Sequence, residues 1–378
     1  MTRGRDKPRV VIAGLGDIGL LTAIHLARHA DIVGISSKPE LVSGQELGLR
    51  IARPDDWARD NRVDFGRYRR LDGVRRVHGV LANADLEARE VTVKLVDGSS
   101  VVEPYDVLVI STGVTNGFWR QPGLQSREEI DAEISSHHQV VADAASVVVV
   151  GGGAAAINAA ANLRIRWPEK QVDLYFPGER GLLSHHPRAW SKVQARLAAL
   201  EVGIHPHHRA LVPDGFASDA ITADPVRWAT GQSPARAEAV VWAIGRVRPN
   251  TDWLPQSLLD DRGFVIVGDT LQTPSRPEVF AIGDVAATDP LRSSARNRAD
   301  ALLAGNIRAH VAGRPLKRYQ ASRSRWGSVL GVQQDGLLFF APDGRAIQIP
   351  AWVIHRILLP WVVRRGFYRG VRRGRQKR

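Results

Sequence analysis

Two glycine-rich turns, each directly after a short apolar run, constrain this chain more than any other feature. The first is Gly14-Leu15-Gly16-Asp17-Ile18-Gly19 after Val10–Ala13, and the second is Gly151-Gly152-Gly153-Ala154-Ala155-Ala156 after Val147–Val150. Each stands where a buried strand hands over to a helix. Glycines there allow a tight turn and let backbone N–H groups approach a pyrophosphate, which the positive end of the helix favours. A lone turn of this kind also serves as plain α/β connection, and Ala156 replaces the last glycine of the second, an accepted variant. Two together, with Val279-Phe280-Ala281-Ile282-Gly283-Asp284 far downstream, suggest two dinucleotides face to face and electron transfer between them.

At 378 residues the chain is long enough for two domains and an appendage. It holds no uninterrupted apolar stretch of about 18 residues, so no spanning helix is expected. The short polar Met1–Pro8 leaves no room for a secretory signal, and a cytoplasmic location is expected. There is no cysteine, which excludes disulfides, thiolate nucleophiles, Cys-ligated zinc and iron–sulfur clusters. Electrons leaving a bound redox group would have to pass straight to an acceptor. Residues 344–378 carry ten Lys/Arg and no Asp or Glu, leaving only +3 of the +13 net charge to the rest. The basic character belongs to the tail.

Hydrophobic patterning predicts a strand at Arg9–Ala13, a helix at Asp17–His29 and a strand at Asp31–Ser36, then irregular chain over 37–75. Strands are expected at Arg76–Ala82, Glu90–Val96 and Tyr105–Ser111, with Asp97-Gly98 as a hairpin signal. A second unit starts near residue 116. It comprises Val147–Val150, a helix at Ala154–Arg166, Gln171–Phe176, a helix at Pro187–Leu200 and the strand Ala237–Ile244. Such alternation argues for parallel sheets covered by helices. The chain then returns to the first unit through Phe264–Val267, Val279–Ile282 and a helix near Arg298–His310. From about Lys317 a separate tail is expected, with a β-like section at Val329–Ile349 before an apolar-basic helix.

The two turns, Ser111-Thr112-Gly113 closing a strand, Gly245-Arg246-Val247-Arg248-Pro249-Asn250, and Thr273 leading into Phe280–Asp284 together resemble the two-dinucleotide-binding flavoproteins of the pyridine nucleotide-disulfide oxidoreductase superfamily. The chain is most similar to the branch of type II NADH dehydrogenases and apoptosis-inducing-factor-like NAD(P)H:quinone oxidoreductases, here without redox cysteines. The resemblance spans about residues 9–312. It implies an α/β protein of two Rossmann-like domains. A discontinuous FAD domain (1–115 and 247–318) would carry an inserted NAD(P)H domain (116–246), and a C-terminal appendage (319–378) would bear an amphipathic basic helix.

On that resemblance Gly14, Gly16, Asp17, Ile18 and Gly19 hold the FAD pyrophosphate, Val80 lies by the adenine, and Thr112-Gly113 passes near the flavin nucleotide. Gly283-Asp284 receives the ribityl chain. The helix near Arg298 points its positive end at the flavin. Gly151, Gly153, Ala155 and Ala156 hold NAD(P)H, with Gly245 beside the nicotinamide. No side chain is needed as a catalyst, because hydride passes from cofactor to cofactor.

Three positions depart from the family pattern. Where an acid usually bonds the FAD ribose stand Ser36, Ser37 and Lys38, with Glu40 beyond a proline, which leaves two expectations open: a looser hold on FAD, or Ser37 in the acid's place. Phe176-Pro177-Gly178 also lacks an acid, so NADH preference is not supported. Arg180 is a candidate for a 2′-phosphate or an ordinary loop arginine. Asn158 stands where the family often has a glutamate near the nicotinamide.

The pairs His137-His138, His185-His186 and His207-His208 point to different faces and make poor chelates, so no metal is expected. Trp57, Trp119 and Trp190 read as packing residues. In the tail, Ile354, Ile357, Leu358 and Trp361 share a helical face flanked by Arg356, Arg364, Arg365, Arg369, Arg372 and Arg373, with Pro360 expected to kink or break the helix. With Trp352, Phe367 and Tyr368, this pattern suits the boundary of an anionic membrane or a helix packed on the protein itself. The resemblance favours the membrane.

The expectation is therefore an FAD enzyme that oxidises NAD(P)H and passes electrons to a quinone-like acceptor, peripheral on the inner membrane face through residues 350–378. A soluble reductase of an electron carrier such as a ferredoxin, and a nucleotide-sensing flavoprotein whose tail grips nucleic acid, are the alternatives. Nucleic acid is not the expected partner, and homodimerisation is left open.

Overall fold

The computed structural model describes residues 7–288, 298–321 and 323–372. Its largest sheet runs, edge to edge, through Val279–Ala281, Val107–Ile110, Arg9–Ala13, Asp31–Ser36, Arg75–Asp85, Glu90–Leu95 and Ser100–Pro104. The first five pair in parallel and the last two fold back antiparallel. Along Arg9–Ala13, Val10 and Ile12 face one apolar cluster while Val11 and Ala13 face another. A strand covered on both faces has no polar side, hence the unbroken apolar run.

The second sheet is parallel, in the order Gly203–His205, Gln171–Tyr175, Ser146–Val150, Ala239–Trp242. In both sheets the strand feeding the glycine turn is central, flanked by its successor on one side and a much later strand on the other. This is the topological switch point, where a crevice opens beyond the strand ends. The two chain segments that cross between the sheets pair as a short antiparallel ribbon, Val114–Thr115 against Arg248–Pro249. A third, antiparallel sheet joins Gly327–Gln333, Gly336–Phe340 and Ala346–Ile349. One apolar cluster unites the second sheet and its helices with Leu47 and Ile51 of the Leu47–Ala52 helix and with Val329, Leu330 and Phe340.

The Ala154–Arg166 helix lies where the pattern places it, and the first helix ends early, at Leu26. Residues 37–75 are not irregular. They form an antiparallel pair, Glu40–Val42 with Arg62–Asp64, and the helices Leu47–Ala52 and Pro54–Asn61. A 17-residue helix, Arg127–Asp143, carries a capping box between Ser126 and Glu129 and appears nowhere in the periodicity reading. Phe264–Val267 is not a strand but makes isolated bridges from Val265 to Leu259 and Ala286, with Val265 buried in the core.

The tail also departs from expectation. Pro360 does not break it: after Ala351–Val353 the chain continues as a π-helix from Ile354 to Phe367. The wider turn breaks up the expected face, so Ile354 is buried while Ile357 and Trp361 are exposed. Arg373 lies outside the described residues. Among those described, no helix is long and apolar enough to cross a membrane.

Candidate functional site

The first glycine turn is shaped by backbone contact. Gly14 has φ +104°, and a Cβ there would lie 2.6 Å from the Ser111 carbonyl oxygen. A Cβ at Gly19 would lie 1.9 Å from the Gly14 oxygen, so helix and turn can close only over hydrogen. Ser111 fastens the arrangement by donating from Oγ to the Gly14 oxygen (2.8 Å). The second turn repeats the device: Gly151 has φ +140°, with the Ala243 oxygen 2.2 Å from where a Cβ would sit. By contrast, a Cβ at Gly16 or Gly153 meets nothing within 4 Å. The middle glycines face open space.

That space is one cleft of about 700 Å³. Its wall includes Gly14, Gly16, Asp17, Ile18, Ser36, Ser37, Val80, Thr112, Gly113, Gly283 and Asp284 from around the first turn, and Gly153, Ala155 and Gly245 from around the second. The remaining sequence candidates are elsewhere. Gly19, Gly151 and Ala156 lie behind the turns as packing positions. Asn158 is not on the wall. It is buried, accepts at Oδ1 from Gly48 N (2.7 Å), and donates from Nδ2 to Glu46 Oε2 (2.8 Å) and the Val329 oxygen (3.0 Å). Its amide joins three segments; it does not face the cleft. The Ala299–Val311 helix starts off the wall: neither Arg298 nor Ala299 lines the cleft, and Asp300 in its first turn pairs with His25 (2.9 Å). Arg180 folds back on the Gly181 and Leu182 carbonyls.

Arg50, Arg120, Gly123 and Gln125 line the wall without any sequence signal. Arg120 reaches Asp284, Nη1 to Oδ2 at 3.0 Å. Asp17, in the first turn itself, accepts from Ser43 Oγ (3.2 Å). Burial lifts the Asp17 carboxyl above the ordinary carboxylate range, against the opposing pull of Arg120. Residues 119–125 lie along the Ser36–Lys38 end. Arg50 donates to the Trp119 oxygen (2.8 Å), Gln125 N donates to the Ser37 oxygen (3.0 Å), and Lys38 donates from Nζ to the Gly123 oxygen. Burial lowers the Lys38 amine to about 8. Glu40 also touches the wall, but its two oxygens are held by Arg62 and Arg127. Trp57 and Trp190 are packing residues, and Trp119 packs while also lining the cleft. Among the described residues no cluster of His, Asp or Glu is arranged to hold a metal.

The residues present fit a flavin dinucleotide. The Thr112 hydroxyl is a buried wall group with no hydrogen-bond partner among the described residues, and a Cβ at Gly16 would project into open space on the same wall. Two open glycine cradles on one cleft define an oxidoreductase of the class that brings a flavin and a pyridine nucleotide together.

Comparison with known proteins agrees. The chain belongs to the pyridine nucleotide-disulphide oxidoreductase family, whose profile matches residues 8–305. It is 27% identical over 243 residues to the FAD-dependent oxidoreductase FVFD30 of Flammulina velutipes, covering 63% of this chain and 73% of that one. Among solved structures it resembles the sulfide:quinone oxidoreductase of Aquifex aeolicus (TM-score 0.70, 18% identity, 95% of this chain and 92% of that one). It also resembles the reduced CoADR-RHD of Bacillus anthracis (TM-score 0.66, 19% identity, 86% of this chain), of which it spans 61%.

Proposed function

We propose that the protein is an FAD-dependent NAD(P)H dehydrogenase that delivers electrons to a quinone-like acceptor at an anionic membrane surface. The observation that carries this is the shared cleft: both glycine cradles open on it, so a nucleotide on each would bring two redox rings together. FAD, when bound, supplies hydride acceptance and electron transfer. Gly14 and Gly16 let backbone N–H groups meet its pyrophosphate, Asp284 and Thr112 hydrogen-bond its hydroxyls, and Ser36, Ser37 and Lys38 take the adenosine ribose. Gly153, Ala155 and Gly245 seat NAD(P)H. Residues 1–115 with 247–318 form the FAD domain, 116–246 the NAD(P)H domain and 319–378 the acceptor-facing part.

The tail supports the membrane. Trp352 (61%), Trp361 (57%), Phe367, Ile357 and Val362 are exposed, and Arg365 stacks over Trp361 at 4.5 Å. An aromatic surface with interleaved arginine suits the headgroup boundary. The other arginines are not uniformly available to lipid. Arg364 pairs with Asp60 (3.1 Å), Arg372 with Asp72 (2.6 Å), and Arg369 Nη2 lies 3.3 Å from His25 Nδ1.

Anaerobic titration of the purified yellow protein with NADH and with NADPH is the test, flavin bleaching being the expected result. A colourless protein that takes up no FAD would end the reading. Trp352→Ser with Trp361→Ser should abolish flotation with phosphatidylglycerol vesicles and slow reduction of a long-chain quinone, leaving bleaching intact. Unchanged flotation would leave an electron-carrier protein as the acceptor.

A further inference from the structure

One cleft residue comes from outside both glycine-rich units. Arg325, two residues before the strand Gly327–Gln333, shares the wall with Gly153, Ala154 and Ala155. The placement has a structural cause. Two asparagines lay this strand along the Ala154–Arg166 helix: Asn162 donates to the Leu330 oxygen (3.2 Å) and Asn158 to the Val329 oxygen (3.0 Å). As residue numbers fall along the strand, the attachment points fall along the helix, so the segment before Gly327 arrives at the helix N-terminus. There its backbone is fixed again. Arg325 N donates to the Ser184 oxygen (2.7 Å), and Arg325 bridges to His185. That loop is tied in turn to the second glycine turn, Leu182 N donating to the Gly152 oxygen (2.7 Å).

The chemistry of the turn leaves a role for it. Residues 151–156 are glycine and alanine only, and the N-cap Gly153 makes no side-chain cap. The cradle therefore offers backbone N–H groups and a partial helix charge, with no side-chain donor of its own. A pyrophosphate carries two negative charges, and a guanidinium presents a planar fork of donors that matches phosphate oxygens.

We propose that Arg325 binds the pyrophosphate of NAD(P)H at the second glycine turn, so that the C-terminal region completes the electron-donor site. This rests on the NAD(P)H reading of that turn. Asn158 and Asn162 act as positioning residues that set where the arginine arrives.

Isothermal titration calorimetry of the FAD-loaded protein with ADP-ribose, which keeps the pyrophosphate and lacks the nicotinamide, tests it without turnover. Arg325→Gln should weaken ADP-ribose binding about tenfold or more, the scale of one lost charge-assisted phosphate contact. NADH and NADPH should weaken by the same factor, with flavin content and melting temperature as in the parent protein. Arg325→Lys, which keeps the charge and loses the fork, should fall between. Parent-like ADP-ribose affinity in Arg325→Gln overturns the assignment, and so does a loss confined to NADPH, which would place the arginine on the 2′-phosphate. If the parent protein binds neither ADP-ribose nor NAD(P)H, the donor reading itself fails, a distinct result.

Discussion

Arg120 Nη1 lies 3.0 Å from Asp284 Oδ2, on a cleft wall that also carries Asp17. One guanidinium thus stands between two acids beside the cradle for a dianionic pyrophosphate. Arg120→Ala should weaken FAD binding by roughly tenfold to a hundredfold, since a hydrogen bond to a charged group contributes about 1.5–3 kcal/mol. Adding Asp17→Asn should recover part of that loss. Flavin fluorescence titration measures both, and strictly additive effects would mean that the two side chains act independently.

Gly16 separates ligand contact from fold. A side chain there meets no protein atom within 4 Å and needs no positive φ. Gly16→Val should therefore melt within a few degrees of the parent yet purify without flavin. Gly153→Val, equally open, should keep flavin while slowing its reduction by NAD(P)H in rapid mixing.

Asn158→Glu should act on stability. The glutamate cannot donate to Glu46 or to the Val329 oxygen, and it sets a second carboxylate against the first in a buried site. A cost of about 3 kcal/mol is expected in urea unfolding. A changed nicotinamide affinity at parent stability would return Asn158 to the cleft.

Lys38 predicts a pH signature. Its amine is lowered to about 8 from an ordinary 10.5, so between these values the unfolded chain binds a proton that the folded one has released. Stability from this group therefore rises as pH climbs through that window, and the penalty of burying the charge is present below it. Lys38→Met should raise the melting temperature at pH 7 and flatten the alkaline rise relative to the parent.

The parts of the fold that the sequence displays are those where one physical demand dominates. Arg9–Ala13 and Ser146–Val150 are covered on both faces, and their glycine turns can close only without a Cβ; both are legible for that reason. The Arg127–Asp143 helix escaped because only Ile130, Ile134 and Val141 are buried along 17 residues, although Ser126 and Glu129 announce its start. Residues 37–75 hide their helices among arginines and aspartates, yet Pro54 followed by Asp55 and Asp56 is a helix opening. Asn158 misled because spacing along a helix gives an angle only, and whether that angle faces a cleft or a neighbouring strand depends on segments 110 and 171 residues away. Arg120 and Arg325 come from loops whose course no periodicity encodes.

The ribbon joining Val114–Thr115 to Arg248–Pro249 has an engineering consequence. Because Thr115 and Arg248 are cross-strand partners, the stretch between them enters and leaves at neighbouring points. It could be cut out as a cassette and replaced with a two-residue reverse turn, or transplanted into another host, without stretching the flanking backbone. The remaining polypeptide would then report whether flavin uptake survives without the excised stretch, Arg120 included.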